Sequence, residues 1–128
     1  MILALDTSTP VCRTWLIDEE GRRLDEWDVG RGLADGLIGH LRALLGEHTY
    51  RWSDITAIAV FKGPGSFTGL RIGLTVMNTL ADTQSLPIVG EAGEDWLEKA
   101  LERIAAGQSD GLVMPLYGRE ANITKPRK

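Results

Sequence analysis

Cysteine is almost missing from this chain: Cys12 is the only one in 128 residues, so no internal disulfide can form. Histidine is nearly as scarce. His40 and His48 stand eight apart with no third ligand nearby, whereas a helical metal site wants partners about four residues apart. Both therefore read as surface or packing residues, and no metal is expected. No apolar run approaches the ~20 residues that a membrane-spanning helix requires. Met1 to Leu5 is apolar, but Asp6 ends it long before a signal-peptide core is complete. A cytoplasmic protein is the simple expectation, and the sequon Asn122-Ile123-Thr124 then carries no meaning. Excess positive charge is also absent. Fourteen basic against eighteen acidic side chains leave a net charge of −4, which argues against a general nucleic-acid surface while allowing a local patch. There are no repeats, low-complexity tracts or linkers. With 43% hydrophobic content, a single α/β domain with a real core is expected.

What the chain does have is Lys62-Gly63-Pro64-Gly65-Ser66-Phe67-Thr68-Gly69-Leu70-Arg71-Ile72-Gly73, set between an apolar run and a helical one. Ile55 to Phe61 is short and rich in β-branched residues, hence a buried strand. From Leu70 to about Asp82 the periodicity is helical. Strand, glycine-rich turn and helix is the layout of a phosphate cradle, because free amides at a helix start attract anions. The spacing does not fit the common cradles: a Walker-type loop needs Lys where Leu70 stands, and G-x-G-x-x-G needs glycine at Thr68. The other reading of Gly63 and Gly65 is a tight turn that packs a helix closely on a sheet.

The first thirty residues predict three strands: Ile2–Leu5, Val11–Asp18 and Arg22–Val29, with a hairpin turn at Glu19-Glu20-Gly21. The third is polar and belongs at the sheet edge. A strand, a polar turn at Asp6-Thr7-Ser8 and a meander of two strands resembles the opening of the actin/hexokinase-like fold. In its ATP-using members the turn carries an Asp and a Gly that close over phosphates. Here Asp6, Thr7 and Ser8 keep the acid and the hydroxyls without the glycine, so amide approach to a phosphate is sterically poorer. The alternative is a turn in which Asp6 and Ser8 bond local amides.

Two helices follow with unusual surfaces. In Leu33–Glu47 the residues Leu33, Leu37, Ile38, Leu41, Leu44 and Leu45 form a core stripe of roughly 140°. Gly36, Gly39, Ala43 and Gly46 cluster on the opposite side, at a cost of up to about 1 kcal/mol per mid-helix glycine. Small residues admit another helix closely, so this strip reads as a docking surface; a poorly formed helix beside water is the other reading. In the second helix Leu70, Ile72, Gly73, Leu74, Val76, Met77, Leu80 and Ala81 cover roughly 200°, about twice what one sheet contact needs. Burial on two sides is implied. Arg71 in its first turn opposes the helix dipole and is expected to meet a carboxylate or an anion. Phe67, in the glycine-rich turn, reads as an anchor tucked into the core, with an exposed contact as the other reading. Beyond these, Pro87–Val89 predicts a strand, Asp95–Ala106 a third helix with Trp96, Leu97, Ala100, Leu101 and Ile104 inward, and Leu112–Leu116 a last apolar stretch before a basic tail ending Lys125-Pro126-Arg127-Lys128.

Gly63 to Gly73, with Ile2-Leu3-Ala4-Leu5-Asp6-Thr7-Ser8 at the start, closely resembles the TsaB (YeaZ) family over Met1 to about Gly90. That family takes part in making N6-threonylcarbamoyladenosine at position 37 of tRNAs reading codons that begin with A. Its full-length members continue into a second domain. Pro115-Leu116-Tyr117-Gly118-Arg119 resembles their late P-x-Y-x-R segment, and Asp95–Ala106 their last helix. An internal loss of the second domain is therefore expected, leaving 1–128 as one domain with 91–128 as terminal helix and tail. The histidine-serine pair usual early in the first helix is replaced by Leu33-Ala34-Asp35-Gly36.

The resemblance implies an inactive relative of TsaD, the catalytic subunit, that binds TsaD through its first two helices. ATP and metal would belong to partner subunits, TsaD and the ATPase TsaE, with tRNA contacted indirectly, and no cofactor is expected here. The partner-binding residues implied are Gly36, Gly39, His40, Ala43, Ser66, Phe67, Thr68, Gly69, Leu70, Arg71, Gly73, Leu74 and Met77. Asp6, Thr7, Ser8, Gly63 and Gly65 would be a vestigial nucleotide site. A non-catalytic scaffold subunit is the leading reading. A minimal nucleotide-binding ATPase-like domain is the rival, and a peptidase the weaker third, since no Ser/His/Asp or metal constellation is present. Alone, the chain is expected to dimerise with Gly36, Gly39 and Ala43 crossing Leu70, Leu74 and Met77.

Overall fold

The computed structural model describes residues 1–116. Five strands form one mixed sheet: β1 (Ile2–Asp6), β2 (Val11–Asp18), β3 (Gly21–Asp28), β4 (Ala57–Phe61) and β5 (Ile88–Glu91), in the order β3-β2-β1-β4-β5. The β1–β2–β3 meander is antiparallel, while β4 runs parallel to β1 and β5 parallel to β4. Parallel neighbours need crossovers, and helices α1 (Leu33–Glu47) and α2 (Phe67–Gln84) supply them. Helix α3 (Trp96–Ala105) follows β5.

Strand alternation sorts the core into two layers. Leu3, Leu5, Cys12, Leu16, Ile58, Val60 and Ile88 meet α1 and α2, whereas Ala4, Ala59 and Val89 face α3. The two alanines on the α3 side leave room for Trp96. Its ring meets Trp15 edge-on at 5.5 Å and Phe61 at 5.7 Å. The expected architecture, the edge position of the third strand and the bounds of the first helix are all observed.

Several local expectations are corrected. The strand read from Ile55 begins at Ala57, because Trp52–Asp54 winds into a 3-10 turn first. The second helix starts three residues before Leu70, because Ser66 caps it, its Oγ accepting the Gly69 N–H at 3.3 Å. Phe67 thus opens the helix and is 52% exposed, so it is no core anchor. Ile38, placed in the core stripe, is 42% exposed at the stripe's margin.

After α3 the chain returns along β5 and α2. Val113 is buried over Gly90, where a side chain would collide with it. The Asn78 amide grips the Val113 backbone from both sides, its Nδ2–H donating to the carbonyl and its Oδ1 accepting the N–H, each at 2.9 Å. The tail from Tyr117 to Lys128, including the P-x-Y-x-R residues Tyr117 and Arg119, lies outside the described residues.

Candidate functional site

Where β1 ends, its turn meets the glycine-rich loop that follows β4. Asp6 Oδ1 accepts from the Ser8 amide at 2.9 Å and from Ser8 Oγ at 2.6 Å, closing the turn on itself. The loop then docks onto this turn. The Ser66 N–H donates to the Ser8 carbonyl at 2.9 Å, and Thr7 Oγ1 donates to the Gly69 carbonyl at 2.7 Å. The glycines make the approach possible. A Cβ on Gly65 would lie 2.5 Å from Ser8 Cβ, one on Gly73 would lie 2.8 Å from Thr7 Cγ2, and one on Gly69 would strike the Thr7 carbonyl. Gly63, at φ +126°, is crossed instead by the Leu116 backbone, whose N–H donates to the Lys62 carbonyl at 2.6 Å. Of the residues expected as a vestigial nucleotide site, Gly63 packs against Leu116 and Leu70, while Asp6, Thr7, Ser8 and Gly65 lie together. Their amides and hydroxyls face one another, and the turn reading of the glycines describes their geometry.

Around the neighbouring helices the expected partner residues divide. Leu70, Gly73, Leu74 and Met77 are buried in this chain's own core. That corrects their placement on a partner surface, since a second chain cannot reach them without unfolding α2. Gly36 is also corrected. A Cβ there would lie 2.9 Å from the Trp27 ring, so its smallness serves β3 and not a docking helix. His40 joins the same cluster, stacking on Trp27 at 4.2 Å and bonding Asp25 Oδ2 through Nε2 at 2.6 Å.

Gly39, Ala43 and Gly46 remain on the outer side of α1, and added side chains at Gly39 and Gly46 would meet open space. Between α1 and α2 runs a groove of about 370 Å³ lined by Ala34, Thr68, Arg71, Ile72, Thr75 and Val76. Ile38, also uncovered, follows Ala34 by one turn. Arg71 lies over the Phe67 ring at 5.3 Å from its centroid, a cation–π contact, and no carboxylate among the described residues pairs with it. Ala34, Ile38 and Thr75 were missed by the pattern reading. Thr75 breaks the apolar arc at the spacing where a solvent-facing gap would fall, which is the signal that points to it.

Ionisable groups here are tied into local structure. Burial pushes the Cys12 thiol up to about 11. At the opposite end of the sheet the Tyr50 hydroxyl donates to Asp18 Oδ2, which holds the Asp18 carboxyl below the usual range and pushes the phenol up. Among the described residues no three His, Cys, Asp or Glu side chains gather as a metal-binding group, and no helix is long and apolar enough to cross a membrane.

A family model described as TsaD, tRNA N6-adenosine threonylcarbamoyltransferase, matches residues 29–97, more than half of the chain. The tRNA threonylcarbamoyladenosine biosynthesis protein TsaB of Bacillus subtilis (strain 168) is 37% identical over 79 residues, covering 60% of this chain and 31% of the relative. The protein of the same name from Escherichia coli (strain K12) is 33% identical over 89 residues, covering 70% and 38%. Among solved structures, YeaZ from Pseudomonas aeruginosa superposes with a TM-score of 0.64 at 34% identity, over 71% of this chain and 44% of that one. Another, titled as an uncharacterised protein with similarity to peptidase YEAZ from Pseudomonas aeruginosa, gives 0.67 at 36%, over 71% and 42%. The chain thus spans about a third of the length of these two curated relatives. On the matching family model, the curated relatives and the superposed structures, this chain belongs to the TsaB (YeaZ) family.

Proposed function

We propose that this chain is a non-catalytic docking subunit that pairs with a TsaD-type catalytic subunit and so supports threonylcarbamoylation of adenosine 37 in tRNAs reading codons that begin with A. The observation that carries the reading is the uncovered seam of α1 and α2. Ala34, Ile38, Ile72 and Val76 offer apolar surface there, and Gly39, Ala43 and Gly46 keep the outer side of α1 low. An exposed helix pair with small residues alongside suits a second helix pair, because backbones can approach to the ~8–10 Å of ordinary helix packing. A TsaE-type ATPase and tRNA would join through the partner, which would also hold the nucleotide and the metal.

The rival, nucleotide binding at Asp6, Ser8 and the Gly63–Gly69 loop, would require the loop to lift off the turn. The Ser66–Ser8 and Thr7–Gly69 hydrogen bonds would break, because the donors a phosphate needs already serve the chain itself. Co-purification with the organism's own TsaD tests the proposal. Ile38→Asp, at a site exposed in the free chain, is expected to lower capture at least about tenfold through one buried charge. Undiminished capture would move the partner surface off the seam. ATP-dependent phosphate release lost in Asp6→Ala, and absent from a purification blank, would favour the rival.

A further inference from the structure

The two edges of the sheet are finished differently. At β5 the edge is shut: the Ile88 N–H donates to Ser109 Oγ at 3.1 Å, the Gly90 N–H to Asp110 Oδ2 at 2.9 Å, and the Asp110 N–H to the Ile88 carbonyl at 2.7 Å. Arg103 holds Asp110 in place through Nη2 at 2.5 Å. At β3 nothing comparable stands. The β2–β3 register pairs Cys12 with Trp27 and Thr14 with Asp25, and it continues into the Val29 N–H bond to the Pro10 carbonyl at 3.1 Å. That bond sets the phase of the ladder. Odd-numbered residues of β3 turn their amides and carbonyls to β2, and Arg22, Leu24, Glu26 and Asp28 turn theirs outward. These outward groups have no partner among the described residues, and Leu24 is 51% exposed in their midst.

We infer that β3 is a self-pairing edge, on which a second copy of this chain adds antiparallel to make one continuous sheet. The charge order fits a two-fold axis at Leu24. With Leu24 opposite its own copy, Arg22 faces Glu26 and Glu26 faces Arg22 on one face of the sheet, while Arg23 faces Asp25 and Asp25 faces Arg23 on the other. This register also pairs outward-facing backbone with outward-facing backbone, giving two hydrogen bonds at each of three close pairs, about six in all. Registers two residues away keep the backbone match but set Arg23 against Arg23 or Asp25 against Asp25, which cross-strand repulsion disfavours. Gly21, with open space above it, then receives Trp27 of the second copy. The four charges already have partners within the chain: Arg22 with Glu98, Arg23 with Asp18, Glu26 with Arg13 and Asp25 with His40. Arg22, Arg23 and Glu26 are 41%, 43% and 51% exposed and have room for a second partner. The edge is separate from the α1–α2 seam, so the inference goes beyond the docking proposal and does not depend on it.

Sedimentation of the full chain from about 5 to about 200 µM tests this. A concentration-dependent dimer is expected. Leu24→Pro removes an outward N–H without touching the β2–β3 ladder, as an edge strand tolerates, and should raise the dimer dissociation constant at least about tenfold. Glu26→Arg and Arg22→Glu should each do the same by placing like charges opposite. Mixed in equal amounts, the two charge variants should recover the dimer, an outcome that misfolding cannot imitate. A monomer throughout the range would overturn the inference. So would a dimer indifferent to Leu24→Pro, a mixture that stays monomeric, or a dimer lost on Ile38→Asp alone, which would place the contact on the helices.

Discussion

Replacing Gly39 by leucine separates the two readings of α1's outer side. Around Gly39 a new side chain would meet nothing within 4 Å, so the isolated domain can accept it without strain. Leucine is the better helix former by under about 1 kcal/mol, and an exposed mid-helix position realises most of that difference. For a chain of this size the gain corresponds to a melting temperature higher by about 2–4 °C. In complex the sign reverses. Four added heavy atoms would hold a docking helix off the backbone, where contact distances of about 8–10 Å are normal, and overpacking of this kind costs about 1–3 kcal/mol. The capture of TsaD should then fall about five- to more than a hundredfold. Pull-down beside thermal melting reads both terms from one variant. Unchanged capture with a raised melting point would show that Gly39 faces water in the complex. Loss with Ile38→Asp but not with Gly39→Leu would confine the partner to the α1–α2 seam.

Gly73→Ala should destabilise the fold by about 1–3 kcal/mol in urea unfolding, since its methyl would press on Thr7. Thr7→Ala in the same chain should recover part of the loss, because the two side chains compete for one space. Tyr50→Phe addresses pH. Asp18 is held below its usual range in the fold, so its contribution is present above about pH 4 and fades as the pH falls further. Tyr50 is held above its usual range, so its contribution fades as the pH rises through about 10. Losing the shared bond should flatten both limbs of the stability profile, and an unaltered acid limb would refute the assignment. Cys12 is 1% exposed with its thiol at about 11, so a thiol reagent at pH 8 should label it only on unfolding. Prompt labelling of the folded chain would contradict that burial.

How much of this was legible beforehand depended on the range of the contact. Val11–Asp18 and Leu33–Glu47 were readable to the residue, because apolar patterns and the turns that bound them are local, even where the alternation of Val11–Asp18 is imperfect. The helix start at Phe67 was missed, although its signal was local as well: Ser66 is a good cap, and a capped helix gathers the preceding turn into itself. Gly36 was of another kind. Its neighbour Trp27 sits across a strand–helix connection, and a sequence pattern cannot tell a glycine that admits a foreign helix from one that admits an indole.

The glycine loop carries the same ambiguity furthest. A chain needs glycines at a strand–helix turn whenever something must come within van der Waals contact of the backbone, and the residues do not say what that something is. A phosphate would have required the β1–β2 turn to stand clear of the loop. The register of β1 on β4, fixed by pairs such as Ile2 with Ala57 fifty-five residues apart, sets the turn against the loop instead. The Ser8 carbonyl then takes up the Ser66 N–H, the Thr7 hydroxyl donates to the Gly69 carbonyl, and Gly65, Gly69 and Gly73 become contact points between two parts of one chain. The glycine loop thereby works as a clamp that fixes the N-terminus of α2. Fixing that terminus holds Thr68, Ile72, Thr75 and Val76 at a constant angle to α1, which is what the proposed docking role would require of the seam.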